Sequence, residues 1–240
     1  MIMRATKLIL GTTLLVASLF TVSANKVFAA DPQFFVSWSA DSFTPSWYEG
    51  KAFPTKGSKV NVSFELVSQN SADFGKIVNL SSSQIRWYIN DSFYIQQNGL
   101  NSLTFTNNSF PNSTIKVRIS AEVTNPSDGN SSLVNKYVTI PVASPKVIIS
   151  SKDFSRILGP NSAVNLTAAP FFFNVDSINN ISAIWNVSGQ QSDKNAENPF
   201  SLVVKFGQNI FPGPITVNIN AQNIKDVLET AVSSLGFTMQ

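Results

Sequence analysis

The sequence predicts an all-β protein: two tandem β-sandwich domains following an N-terminal signal peptide. Three observations carry that reading: an internal repeat, apolar alternation of period two between turn signals, and a leader that runs from basic to apolar to small residues. The repeat is clearest at Phe110-Pro-Asn-Ser-Thr-Ile-Lys-Val-Arg-Ile-Ser-Ala121 and Phe211-Pro-Gly-Pro-Ile-Thr-Val-Asn-Ile-Asn-Ala221. Upstream, Ile85-Arg-Trp87-Tyr-Ile89 and Ile184-Trp185-Asn-Val187 place a Trp 23 and 26 residues before each Phe-Pro pair. Chance does not preserve both the alternation and the turn chemistry at a spacing of about one hundred residues, so the chain reads as two diverged copies of one β domain.

The leader comes first. Arg4 and Lys7 supply positive charge, Leu8 to Ala24 is apolar, and Val27-Phe28-Ala29 places small residues where a signal peptidase reads them. Cleavage is expected after Ala29 or Ala30, which makes residues 1–30 the signal peptide and the protein secreted or cell-surface. The apolar run of 17 residues falls just under the roughly 20 that span a bilayer. Membrane attachment is therefore expected only if this segment stays uncleaved.

Residues 31–143 are expected to form the first domain, with an N-terminal extension, and residues 144–240 the second. Lys59-Val-Asn-Val-Ser-Phe-Glu-Leu66, Ser102-Leu-Thr-Phe105 and Lys136-Tyr-Val-Thr-Ile140 read as strands of the first copy, and Val147-Ile-Ile149, Val164-Asn-Leu166 and Ser201-Leu-Val-Val204 as strands of the second. Turns are expected at Lys56-Gly57-Ser58, Asn98-Gly99, Pro126-Ser-Asp128-Gly129-Asn130, Gly159-Pro160-Asn161, Ser188-Gly189 and Phe206-Gly207. A short helix is the one departure, hinted at by Ile224-Lys-Asp-Val-Leu-Glu-Thr230. Pro141-Val-Ala-Ser-Pro145 reads as a short, stiff, extended linker, and the two halves are expected to fold independently.

Composition removes whole classes of chemistry. Cys and His are both absent, so disulfides, His-dependent triads and nearly all zinc sites are excluded. Arg4, Lys7 and Lys26 are three of the 17 basic residues, so the chain from Asp31 onward sets 14 bases against 14 acids. The net charge of +3 belongs to the leader, and no clustered basic footprint of a nucleic-acid binder remains. Glycosidase chemistry would need paired carboxylates, but the acids are scattered through loops and outer strand positions. Asp73, Asp91, Asp128, Asn130, Asp176 and Asn179 sit at turns without the dense acidic spacing of a calcium loop. No catalytic, cofactor or metal residue is assigned. Sequons such as Asn61-Val-Ser63 follow from an Asn- and Ser-rich composition.

A Trp on a central strand, a polar turn directly after it (Asn90-Asp91-Ser92; Ser188-Gly189), and a late strand entered through Phe-Pro resemble the immunoglobulin-like superfold, in particular the PKD-type domains of bacterial surface proteins. The resemblance covers about Lys59 to Ile140 and Asn161 to Thr238. Neither copy has the Gly-Asp-Gly turn of PKD domains or the inter-sheet Cys pair of antibody domains. The chain is more similar to a group of exported tandem immunoglobulin-like proteins of ultrasmall uncultured bacteria, which implies an extracellular role without defined chemistry.

Three features bear on binding. The start of the mature chain is rich in aromatics: Phe34-Phe35-Val-Ser-Trp38, Phe43-Thr-Pro45-Ser-Trp47-Tyr48 and Phe53-Pro54. Phe34, Val36 and Trp38 share a strand face that suits a core, and the rest reads as a flap over domain one. Trp47 and Tyr48, between Pro45 and Gly50, are the candidate ligand-binding residues, since exposed rings stack on sugar faces. Phe171-Phe172-Phe173 is expected to be buried. On the late strands the outward positions are Lys116, Arg118, Ser120 and Glu122 in one copy and Thr216, Asn218, Asn220 and Gln222 in the other. The expected function is a non-enzymatic structural or adhesive protein that contacts a surface protein or the envelope. A carbohydrate-binding module is the alternative, and a hydrolase accessory domain is a more remote third.

Overall fold

In the computed structural model, residues 32–69, 73–124, 131–152, 156–192, 197–208 and 211–240 are described. The segment expected as a signal peptide, the turn expected at Pro126 to Asn130 and the candidate residues Asp128 and Asn130 lie outside them.

Alternation decides which face of each strand is buried. On β1 (Gln33–Ala40) Phe34 is buried, while Val36 and Trp38 pack against the same core. On β2 (Lys59–Val67) Val60, Val62, Phe64 and Leu66 all point inward. β3 (Gln84–Ile89), β4 (Ser92–Asn98), β5 (Ser102–Thr106), β6 (Thr114–Thr124) and β7 (Ser131–Pro141) complete the first domain. One sheet runs β1-β2-β5 and the other β4-β3-β6-β7, every neighbouring pair antiparallel. The second domain repeats this plan with β8 (Lys146–Ser151), β9 (Ile157–Leu158), β10 (Ala163–Phe171), β11 (Ile181–Val187), β12 (Gln190–Gln191), β13 (Ser201–Lys205), β14 (Gly213–Asn223) and β15 (Thr230–Met239). Its sheets run β13-β10-β8 and β12-β11-β14-β15-β9, with β9 joining β15 in parallel. Each half is thus an immunoglobulin-like sandwich, because the first, second and fifth main strands oppose the third, fourth, sixth and seventh.

The two Trp residues anchor equivalent places. Trp87 is fully buried opposite Ile119, and Trp185 is buried opposite Ile219. Each indole N–H reaches a carbonyl just before or at the edge of the facing sheet, Leu100 O at 2.9 Å and Pro199 O at 3.0 Å. Burying these rings therefore leaves no donor unpaired. After each Trp strand the chain reverses through two left-handed residues, Asn90 and Asp91 in one copy and Ser188 and Gly189 in the other. Such paired positive φ values mark the tight hairpin turn that matches strand twist.

Two expectations change. Ile224 to Glu229 forms a turn between β14 and β15, not a helix. Asn223 Oδ1 accepts the Lys225 N–H and Asp226 Oδ1 the Leu228 N–H, so side chains cap the turn in place of helical bonds. The stretch expected as a stiff linker is bonded into the structure at its start. Pro141 ends β7 opposite Thr114, and Val142 exchanges backbone hydrogen bonds with Asn112 and Ser113. β7 is a sheet edge, where Pro's missing donor costs no ladder bond.

Candidate functional site at the domain junction

The chain between β1 and β2 leaves its own sandwich and lies against the second. Phe43 N–H donates to Phe173 O at 2.7 Å, and Phe172 N–H donates to Phe43 O at 2.6 Å. Phe43 also packs against the second domain's core. This pairing holds Phe172 at φ +60, a left-handed conformation rare for a bulky residue. The reversal breaks strand alternation and lets Phe171, Phe172 and Phe173 all be buried. The side chains then interlock. Trp47 and Tyr48 set their rings edge-on to Phe171 at 5.8 and 5.4 Å, and Phe53 sits edge-on to Phe172 at 5.6 Å. Edge contacts of this kind add about 0.5–1.5 kcal/mol each. The segment expected as a flap over domain one is an aromatic clasp onto domain two.

A polar cluster closes the other side of the junction. The turn at Thr55 to Ser58 is tied down by Asn107, whose Nδ2 donates to Thr55 O at 2.9 Å, and Gly57 takes φ +85 there. A Cβ at Gly57 would come within 2.6 Å of Asn174 Nδ2, so glycine answers both the backbone angle and the close approach. Buried Glu229 accepts from Asn174 N–H at 2.8 Å and Asn223 Nδ2 at 2.7 Å, and the Thr55 hydroxyl donates to it from the first domain. Removal from water is the main cause that pushes its carboxyl up from the ordinary range; the nearby Asp226 charge adds to this, and the three hydrogen bonds oppose it.

Of the two candidate residues, Trp47 is 67% exposed. Tyr48 is half-buried, its ring against Phe171 and Phe172 and its hydroxyl 3.5 Å from Lys51 O. Trp47 stands at a cleft of about 480 Å³, with Pro45 beside it and Pro170, Asp176 and Ile178 opposite. An indole face and a carboxylate across an open cleft can stack on a flat apolar ring and accept hydrogen bonds from hydroxyls. Among the described residues no three acids gather where they could hold a metal ion. Asp73 instead pairs with Lys76 at 2.7 Å, and Ser177 caps a single 3-10 turn at Ile178–Asn180. No helix among the described residues is long and apolar enough to cross a membrane.

A second surface emerges on the outer face of the four-stranded sheet. Phe93, Tyr88, Arg118 and Tyr137 stand side by side, one from each strand. The sequence marked Arg118 as outward but not its neighbours. The signal was there: Tyr88 follows an inward Trp, and Tyr137 falls three before the buried Ile140.

No family model and no curated protein matches the sequence. Solved structures offer distant likenesses. One is the Bacteroides ovatus mixed-linkage glucan utilization locus protein SGBP-B in complex with a mixed-linkage heptasaccharide, at TM-score 0.26 and 12% identity over 88% of this chain. The chain spans about half of that protein, 47% of its length. Others are a 1.5-MDa bacterial ice-binding adhesin, at TM-score 0.31 and 11% identity over 85% of this chain and 64% of that one, and the central fibronectin-III array of RIM-binding protein, at 0.29 and 7% over 87% and 68%.

Proposed function

We propose that this is a non-catalytic, exported surface protein whose two sandwiches are fixed to each other by the aromatic clasp and which adheres to a glycan or surface protein of the envelope. The observation that carries this reading is the clasp itself. In it Trp47 keeps its ring exposed yet braced against Phe171, and lines the same cleft as Asp176. A braced ring loses little freedom on stacking, which makes it a good anchor. The chain contains neither His nor Cys, and the groups presented here bind without activating water or a nucleophile.

Sugar contact at the cleft is the version the exposed indole favours, with Trp47 as the platform and Tyr48 as its support. The test is retention of the mature protein on a glycan array and on isolated cell envelopes. Trp47→Ala should weaken glycan retention about fivefold, the worth of roughly 1 kcal/mol of stacking, with the protein still folded and its stability lowered only by the loss of the single edge contact with Phe171. Unchanged retention removes the sugar version. Hydrolysis of a polysaccharide or peptide that a single carboxylate substitution abolishes would overturn the non-catalytic reading.

A further inference from the structure

The row Phe93, Tyr88, Arg118, Tyr137 has properties that folding does not require. Phe93 is 59% and Tyr137 67% exposed, and Tyr88 packs edge-on to Phe93 at 5.7 Å. The Arg118 guanidinium lies 3.6 Å over the centre of the Tyr88 ring. A guanidinium stacked this way keeps its N–H donors pointing outward in its own plane. Among the described residues no carboxylate pairs with it. In the adjoining row Arg86 donates only to neutral amides, Gln96 Oε1 at 2.8 Å and Gln84 Oε1 at 2.5 Å. Lys116 adds a third cation on the same face, where Glu122 is the one acid at an outward strand position among the described residues. The face is therefore aromatic, rich in donors and net positive, although the mature chain as a whole balances its charges.

The second domain supplies the control. Trp87 and Trp185 match, so the equivalent row there is Gln191, Asn186, Asn218, Ser234. The same scaffold is thus built with amides and a hydroxyl at all four places. Rings and a cation in the first copy answer to something outside the fold.

We propose that this sheet face binds an acidic polysaccharide, a chain of uronate-bearing sugar rings. The carboxylate of one residue is received by the Arg118 fork, while neighbouring rings lie on Phe93 and Tyr137. Charge complementarity selects this occupant. A neutral sugar would leave the strongest donors of the face without a charged acceptor, whereas a carboxylate matches the guanidinium two bonds at a time. A nucleic acid would call for a longer basic track. Four strands about 4.8 Å apart give a platform of about 14 Å, room for a short run of rings. The proposal shares only the exported location with the reading above and does not use the Trp47 cleft.

The experiment measures binding of the full mature protein to polygalacturonate, to its methyl ester and to a neutral β-glucan, with chelator present so that calcium bridges play no part. The acid form should bind, with affinity falling as salt rises, and the uncharged ester should bind at least about tenfold less. Arg118→Gln should lose about tenfold or more, and Tyr137→Ala, a change at a largely exposed ring, about fivefold, while circular dichroism and melting stay close to wild type. Trp47→Ala should leave polygalacturonate binding unchanged. Equal binding of acid and ester, no binding of the acid form, or indifference to both Arg118→Gln and Tyr137→Ala overturns the proposal. Binding that is lost in Trp47→Ala but kept in Arg118→Gln assigns the sugar to the cleft instead. Capture of an acidic protein, with polygalacturonate ignored, likewise counts against it.

Discussion

The two sandwiches agree in their interiors and differ almost everywhere else. Trp87 and Trp185, Ile119 and Ile219, and Ala121 and Ala221 occupy the same buried places. Outside, one copy carries Tyr88, Arg118 and Tyr137 where the other has Asn186, Asn218 and Ser234. Between its first two main strands, the first copy sends out the clasp, whereas the second adds the short strand β9 along β15. Close packing leaves the interior no latitude, since the loss of even a methylene there is felt, while outer positions and inter-strand segments are free to take up other work. The duplication therefore separates what folding demands from what contact demands.

The interior half of the comparison is broken most directly at the Trp pair. Truncation of either ring to Ala should cost roughly 3 to 5 kcal/mol, and the two losses should be similar because each ring is buried and has its N–H bonded. Chemical denaturation of Trp87→Ala and Trp185→Ala measures both. Near wild-type stability in either variant would show that the copies are not anchored alike.

The clasp sharpens the comparison next. Sequence reasoning expects residues 31–143 and 144–240 to fold alone, yet Phe43 packs against the second core and Phe172 holds its strained angle through Phe43. An isolated second half would expose Phe171 and Phe172 and lose that pairing. Expressed separately, it should still give a β-sheet spectrum but be less stable than in the whole chain by roughly 3 kcal/mol, the sum of a few edge-on ring contacts. Tyr48→Ala and Phe53→Ala should each reproduce part of that loss. Equal melting temperatures for the half and the whole would mean that the clasp contributes nothing to the second domain.

The same division explains what could be read from the sequence. Strands, the Trp anchors and the left-handed turns were visible because each obeys a local rule: period-two alternation, a matched spacing, or residues such as Asn-Asp and Ser-Gly that tolerate positive φ. Two aromatic segments were visible as well, but not that they meet. Phe43 to Phe53 and Phe171 to Phe173 lie more than one hundred residues apart, and no periodicity joins segments across domains. The helix hinted at over Ile224 to Thr230 failed for a related reason, since seven residues are too few to overcome nucleation where Asn223 and Asp226 offer local caps. Trp47 could be singled out by its loop composition, whereas the Tyr88 and Arg118 row needed the strand register that only the folded sheet supplies.

The smallest effect lies where the two copies touch through charge. Glu229 is buried among Asn174, Asn223 and the Thr55 hydroxyl, and desolvation raises its carboxyl pKa. In the unfolded chain the same group ionises in the ordinary carboxylate range. Between those two values the native state holds more of the proton than the unfolded state does, so stability should fall as pH rises through that window and level off above the raised value. Glu229→Gln removes the titration and should flatten the slope there. Because Gln still offers Asn174 N–H an acceptor, the variant should stay folded, so the pH profile reads the charge and not a collapse of the junction. Denaturation midpoints from mildly acidic to neutral pH decide it. A stability that rises through the window would mean that the Asn174, Asn223 and Thr55 bonds outweigh burial, and an unchanged slope in the variant would move the titration to another group.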